Sequence, residues 1–275
     1  MMIRRSNNLR FSRTPILLKV FIGLVALTAL VAPANFVLLT PGPVTELFPK
    51  VLTVKPVDGV KSYPVNGQLY LLTIYVTNPE TKVLGAEVLG CWVWGDCVAA
   101  PRSVFYEKNT SDAKERKSGE RDMVKSQNIA LVAAKGVIAR KFPGVNVGAL
   151  KDDTVKVSLE DTGGPSGGLV FTLGLIDLLT PADILQGRKI AGTGTIAADG
   201  TIGAIGGVTE KIVGAKKAGA QILFVSRENC GELPASAKGI SVIAIDTIDQ
   251  AVDYLMTASP ALNSAGIHGC ASVGA

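Results

Sequence analysis

Hydrophobic patterning divides the chain into a long apolar run near its start and a series of shorter periodic segments after it. Ile16–Leu39, ILLKVFIGLVALTALVAPANFVLL, carries a single charge and, as one helix, is long enough to cross roughly 30 Å of hydrocarbon. Thr40-Pro41-Gly42-Pro43 follows as a rigid turn. Val51–Val57 and Leu69–Val76 alternate as strands do, separated by Gly, Pro and Asn turn signals. Residues 107–122, EKNTSDAKERKSGERD, lack apolar periodicity and read as a solvated loop or helix face. Met123–Arg140 sets Met123, Ile129, Val132, Ala133 and Val137 at helical spacing and stops before Phe142-Pro143-Gly144. Val155–Leu159 alternates again. Leu169–Leu179 is apolar nearly all round, as a central buried helix would be, and Thr180-Pro181 ends it. Ile190–Ile196, the Asp199-Gly200 turn and Thr201–Ile205 have the form of a hairpin. Gly206-Gly207 opens a helix over Val208–Ala218. Strands at Gln221–Val225 and Ile240–Ile245, a helix at Ile248–Met256 and a small-residue tail from Thr257, expected to be mobile, complete the pattern. Without an internal repeat, this succession predicts an α/β fold with a mixed sheet.

Charge adds a topology. The net charge of +5 sits in the head of the chain: Arg4, Arg5, Arg10, Arg13 and Lys19 all precede the first acidic residue, Glu46. Without those five, 23 basic residues face 23 acidic ones, so no basic surface for nucleic acid is required. Arginines before the apolar run and none just after it place the N-terminus in the cytoplasm and the remainder outside. Ala32-Pro33-Ala34 also has the small-residue form of a signal-peptide cleavage site, so a retained anchor and a cleaved signal remain the two alternatives. Either one exports the domain and makes its four cysteines eligible for disulfides. Cys91 and Cys97, in CWVWGDC, are spaced for a small loop closure. Cys230 and Cys270 lie far apart, and the sequence leaves the connectivity of the four open. No CxxC spacing for a metal occurs, and no metal or other cofactor is expected.

Residues 163–168, GGPSGG, hold one serine among four glycines directly before the buried helix. Such a serine is either a helix cap or a nucleophile, and a nucleophile needs a base. The one histidine, His268, lies in the glycine- and alanine-rich tail, so the base must be found elsewhere. On the helix opening at Val208, Val208, Ile212 and Ala215 share one side, while Thr209, Glu210, Lys216 and Lys217 fall elsewhere. Lys211 falls inside the apolar arc. A lysine held there either snorkels its ammonium to water or loses hydration and becomes a free amine near neutral pH. Gly163, Gly164, Gly167 and Gly168 allow close approach of a substrate chain, and the helix start leaves N–H groups for a developing oxyanion. No GxxxxGK[ST] phosphate loop is present, which argues against a nucleotide-binding module.

GGPSGG, followed 27 residues after its serine by TGTIAADGTIGAIGGVTEK, resembles the proteolytic domain of Lon-type proteases. The resemblance runs from about Leu39 to Met256. It is closest to membrane-anchored, ATPase-free Lon-like proteins of bacteria, in which the anchor precedes an LTPGP-type turn. It implies that Ser166 is the nucleophile and Lys211 the general base of a Ser-Lys dyad. Thr193 falls where the family has a threonine that helps orient the dyad, and the loop of Gly163, Gly164, Pro165 and Gly167 supplies the oxyanion surroundings. A compact Lon-like domain and a homo-oligomer, commonly a hexamer, are implied as well. Two departures stand out. Gly163 occupies the place of an acidic residue, with Asp161 two positions earlier, and only Phe142–Thr154 stands where anchored relatives carry a PDZ domain.

The expected organisation is a basic cytoplasmic tail (1–15), a transmembrane anchor or signal segment (16–39), a protease domain (40–256, core 155–256) and a flexible tail (257–275). The expected activity is ATP-independent serine endopeptidase action on exposed or unfolded protein segments outside the cytoplasm. Protein substrates and the membrane are the expected partners, with neither nucleic acid nor nucleotide. The alternative is a proteolytically silent membrane scaffold on the same fold.

Overall fold

The computed structural model describes residues 15–95, 97–159, 162–257 and 266–270. The N-terminal apolar run is not one helix. α1 (Ile16–Val31) stops where Ala32, pushed to extended backbone by the proline after it, leads into β1 (Pro33–Ala34). Phe36–Leu39 then open β2 (Phe36–Glu46) in the main sheet. Among the described residues no helix is long and apolar enough to cross a membrane, and the sixteen residues of α1 rise only about 24 Å. The predicted 16–39 span is therefore corrected to a shorter helix plus strand. The predicted turn at Thr40–Pro43 also lies inside β2, as a bulge between Pro41 and Val44 where the prolines have no N–H for the ladder.

β3 (Leu52–Val54), β4 (Gln68–Val76), β5 (Val83–Leu84), α2 (Gly85–Trp94), β6 (Val98–Pro101) and α3 (Arg102–Phe105) follow. α4 (Asp112–Lys141) begins eleven residues before the apolar stripe that announces it. Its first turns are polar on all sides, held by the Ser111 cap on the Lys114 amide and by acidic Asp112 and Glu115 at the N-terminus. The stretch 107–122 is thus mostly helix. β7 (Val155–Val157), α5 (Gly168–Leu179), β8 (Lys189–Gly192), β9 (Thr195–Ile196), β10 (Ile202–Gly203), α6 (Val208–Lys217), β11 (Ile222–Ser226), β12 (Ser241–Ile245) and α7 (Ile248–Thr257) fall close to their predicted places. The predicted hairpin survives as the short pair β9–β10, with Ile202 opposite Ile196. The tail, expected to be mobile, contributes β13 (Gly266–His268) beside β12. Residues 1–14 of the basic tail, Asp161 and the tail residues 258–265 and 271–275 lie outside the described residues.

A seven-stranded sheet in the order β13-β12-β11-β8-β4-β2-β6 organises the molecule. Neighbouring strands from β13 to β4 are parallel, and β2 pairs antiparallel with both β4 and β6, so the sheet is mixed as expected. Alternation along β11 explains the layers. Ile222 and Phe224 join the cluster under α4, α5 and α7, whereas Leu223 and Val225 join Val208, Ile212 and Ala215 of α6 on the opposite face. With helices on both faces, all five residues of β11 and of β12 are buried.

Candidate active site

The site forms where β8 ends. β8 pairs with β4 only as far as Leu71, so β4 runs on alone along that edge through Leu72–Val76. Into this gap at the carboxyl end of β8 project the N-terminus of α5 from one face of the sheet and α6 from the other, the usual place for ligands in open parallel sheets. A cavity of about 230 Å³ results, lined by Ser166, Gly167, Lys211, Met123, Thr73 and Ile74 among others. Ile74, Thr162 and Gly163 also border a larger groove of about 1000 Å³ that continues between Val76, Tyr106 and Gly119.

Close packing fixes the serine loop. Gly164 has φ +91°, the left-handed region that a side chain disfavours, and its amide donates to the Gly119 carbonyl at 2.8 Å. A Cβ on Gly168 would come within 2.6 Å of Ile196 and 2.9 Å of the Ser126 hydroxyl. That hydroxyl donates to the Pro165 carbonyl at 3.0 Å, and the Ser166 carbonyl accepts from the Gly194 amide at 3.0 Å. With the Gly164 amide occupied and no N–H on Pro165, the loop's oxyanion donors narrow. Among the described residues the amides of Ser166 and Gly167 donate to no carbonyl.

Lys211 lies one turn into α6 and is 2% exposed, so the apolar arc buries it rather than letting it snorkel. Burial in this apolar setting lowers its pKa to about 8, partly opposed by the neighbouring Glu210 carboxylate. Its Nζ donates to Thr193 Oγ1 at 3.1 Å, and Thr193 Oγ1 in turn donates to the Ser166 carbonyl at 3.5 Å. Glu210 is also buried, contrary to its expected place off the apolar arc, and burial raises its pKa.

Gly163, Ser166, Gly167 and Lys211 line one cavity, and Thr193 reaches it through its hydrogen bond with Lys211 Nζ; among the described residues Ser166 Oγ and Lys211 Nζ share no hydrogen bond. Cys91 and Cys97 are bonded, and Cys230 pairs with Cys270 across forty residues. Sequence reasoning missed Ser126, a polar residue inside the apolar stripe of α4. It also missed Asn229, wholly buried, whose side-chain amide donates to the Ile205 carbonyl at 2.8 Å and accepts from its amide at 3.1 Å. Glu228 holds the Ala204 amide at 2.8 Å. Together they fix the segment that leads into α6.

With this geometry in view, residues 123–258 match the Lon protease (S16) C-terminal proteolytic domain. This region belongs to that family. The Lon protease of Acinetobacter baumannii is 29% identical over 125 residues, covering 42% of the chain and 15% of that protein. The Lon protease of Mesomycoplasma hyopneumoniae is 35% identical over 96 residues, 34% of the chain and 11% of that protein. The mitochondrial Lon protease homolog of Yarrowia lipolytica is 32% identical over 151 residues, 48% of the chain and 12% of that protein. The chain therefore spans only about an eighth of the length of these relatives. The Lon domain is a serine peptidase domain, and it contributes the α4, α5 and α6 side of the site, while β4 comes from outside the matched region.

Proposed function

We propose that the protein is a serine endopeptidase with a Ser166–Lys211 dyad. The observation that carries this reading is Lys211, a lysine buried to 2% exposure and lowered to a pKa of about 8, on the same cavity as the loop serine of a Lon domain. Neutral Lys211 accepts the Ser166 hydroxyl proton as Oγ attacks a peptide carbonyl carbon. One Lys211 N–H is engaged by Thr193, which leaves the amine lone pair for that proton. The tetrahedral oxyanion is stabilised by the unpaired amides of Ser166 and Gly167. Lys211 then returns the proton to the leaving amine. Water, deprotonated by Lys211 in turn, cleaves the acyl ester and regenerates the serine. Every bond and proton is accounted for by these groups and water, so the chemical step consumes no ATP.

Thr73, Ile74 and Tyr75 border the cavity from the stretch of β4 beyond β8. An extended peptide can lie along this edge, which favours exposed or unfolded segments as substrates. The two disulfides and the arginine-flanked apolar start support work outside the cytoplasm, with α1 seated in lipid. A hexameric assembly is carried over from the resemblance alone, and a mass measurement in mild detergent tests it.

The deciding experiment compares the wild type with Ser166→Ala and Lys211→Ala on an unfolded casein substrate. Cleavage by the wild type and its loss in both variants is expected. Equal cleavage by all three, or none by any, overturns the peptidase reading and leaves the silent scaffold.

A further inference from the structure

α2 carries an apolar surface that the site does not use. Trp92, Val93 and Trp94 are 84%, 71% and 80% exposed, and Leu89 beside them is half exposed. These are the only two tryptophans in the chain, and Val88–Gly95 contains no charged residue. The surface is held in place at both ends. The Gly85 amide donates to the Ala32 carbonyl at 3.1 Å, and β5 pairs with β1, which ties the start of α2 to the end of α1. A Cβ on Gly85 would collide with the Ala29 carbonyl, so the two helices meet backbone to backbone at this point. At the other end the Cys91–Cys97 disulfide closes the loop, and β6 pairs directly after it with β2.

We infer that α2 docks on a lipid bilayer, with Trp92 and Trp94 at the interface between headgroups and acyl chains. α1 decides the occupant. Ile16, Leu17, Phe21, Leu24, Leu27 and Val31 are all more than half exposed, and none of its residues is buried. A protein partner would cover one side of such a helix, whereas lipid accepts apolar side chains on every side. Arg4, Arg5, Arg10 and Arg13 precede α1 and suit anionic headgroups. Tryptophan, with an apolar ring and one N–H donor, partitions to the interface itself. Contiguous exposed apolar patches of this kind mark interaction surfaces in soluble domains, and here the patch continues directly from α1.

The inference rests on the proposed seating of α1 in lipid, and the test separates the two. The full chain is reconstituted into vesicles of phosphatidylcholine and phosphatidylglycerol, with and without lipids brominated near the headgroup end of the acyl chain. Flotation reports attachment, and intrinsic tryptophan emission reports only Trp92 and Trp94. Co-flotation with a blue shift and loss of emission in brominated vesicles is the expected result. Trp92→Phe and Trp94→Phe, each leaving one reporter, should both retain the quenching. Co-flotation with unquenched emission overturns the docking of α2 while leaving α1 in lipid. Shielding from aqueous iodide without bromolipid quenching also overturns it, in favour of a protein partner or second copy. Absence of flotation removes the seating of α1, and the docking with it.

Discussion

On the proposed dyad, the titration of Lys211 bears on both activity and stability. A buried amine with a pKa of about 8 is charged below that pH and neutral above it. Cleavage should therefore rise with pH through about 8 and level off above, as a pH profile of kcat/KM would record. The unfolded chain holds its proton to a higher pH than the folded one, so this group makes folding stability increase between about pH 8 and the ordinary lysine range. Below pH 8 the unfavourable burial is fully present, on the order of 3 kcal/mol. Lys211→Met is expected to raise Tm at pH 7 while abolishing cleavage. Asp177 in α5 behaves in the opposite sense. Desolvation raises its pKa to about 6, although one oxygen accepts the Ile184 amide at 3.0 Å and the other has no partner. Its raised pKa contributes stability that is present below the ordinary aspartate range and lost as pH rises through 6. Asp177→Asn should stabilise the protein at pH 7 by up to about 3 kcal/mol, measured by urea unfolding, and give no gain at pH 3.

Among the elements, the short helical turn Arg227–Glu232 grips the segment that leads into α6. Asn229 clamps both backbone groups of Ile205, two residues before the left-handed Gly207 that opens α6, and the Cys230–Cys270 bond ties this turn to β13. Asn229→Ala leaves those groups buried without partners, at a cost of about 1–3 kcal/mol each. If the clamp positions α6, hydration of Lys211 should increase and the rise in the pH profile should move above pH 8. Reduction of Cys230–Cys270 should move it the same way. Reduced stability with an unmoved profile would assign Asn229 to packing alone. Asn229 carried no periodic signal, because its partners are backbone groups of a segment 24 residues away. Ser166 and Lys211 were legible for the converse reason: a glycine-dense loop and a lysine on an apolar arc each break a local pattern. α5, α6 and α7 were readable from apolar spacing, whereas the first turns of α4, polar all round and stabilised by capping, had no period to read. The N-terminal run misled because apolarity alone cannot tell a helix from the buried strand that follows Pro33.

At the scale of the whole molecule, the matched region 123–258 shares its core and its sheet with the chain before it. β4 lies between β8 and β2 in the sheet, and the chain before residue 123 supplies Leu47, Leu52, Leu69 and Leu71 to the same core as Leu169, Phe171 and Leu173. Each of these four leucines is at most 2% exposed. Burying a leucine contributes about 1.5–3 kcal/mol, so losing four removes a sum comparable with the entire stability of a typical domain, about 5–15 kcal/mol. Leu71, Thr73 and Ile74 also wall the cavity, so deletion would open the site even if the remainder collapsed. A fragment spanning 123–258 should show no cooperative thermal transition by circular dichroism and should be degraded rapidly by an added protease. A chain beginning at Pro33 should melt cooperatively and keep the cleavage activity, because α1 contributes no buried residue. A cooperative melt from the short fragment would place the core inside α4–α7 and reduce β2–β4 to an accessory wall. A failure of the Pro33 chain to fold would give α1 a structural role that its exposure argues against.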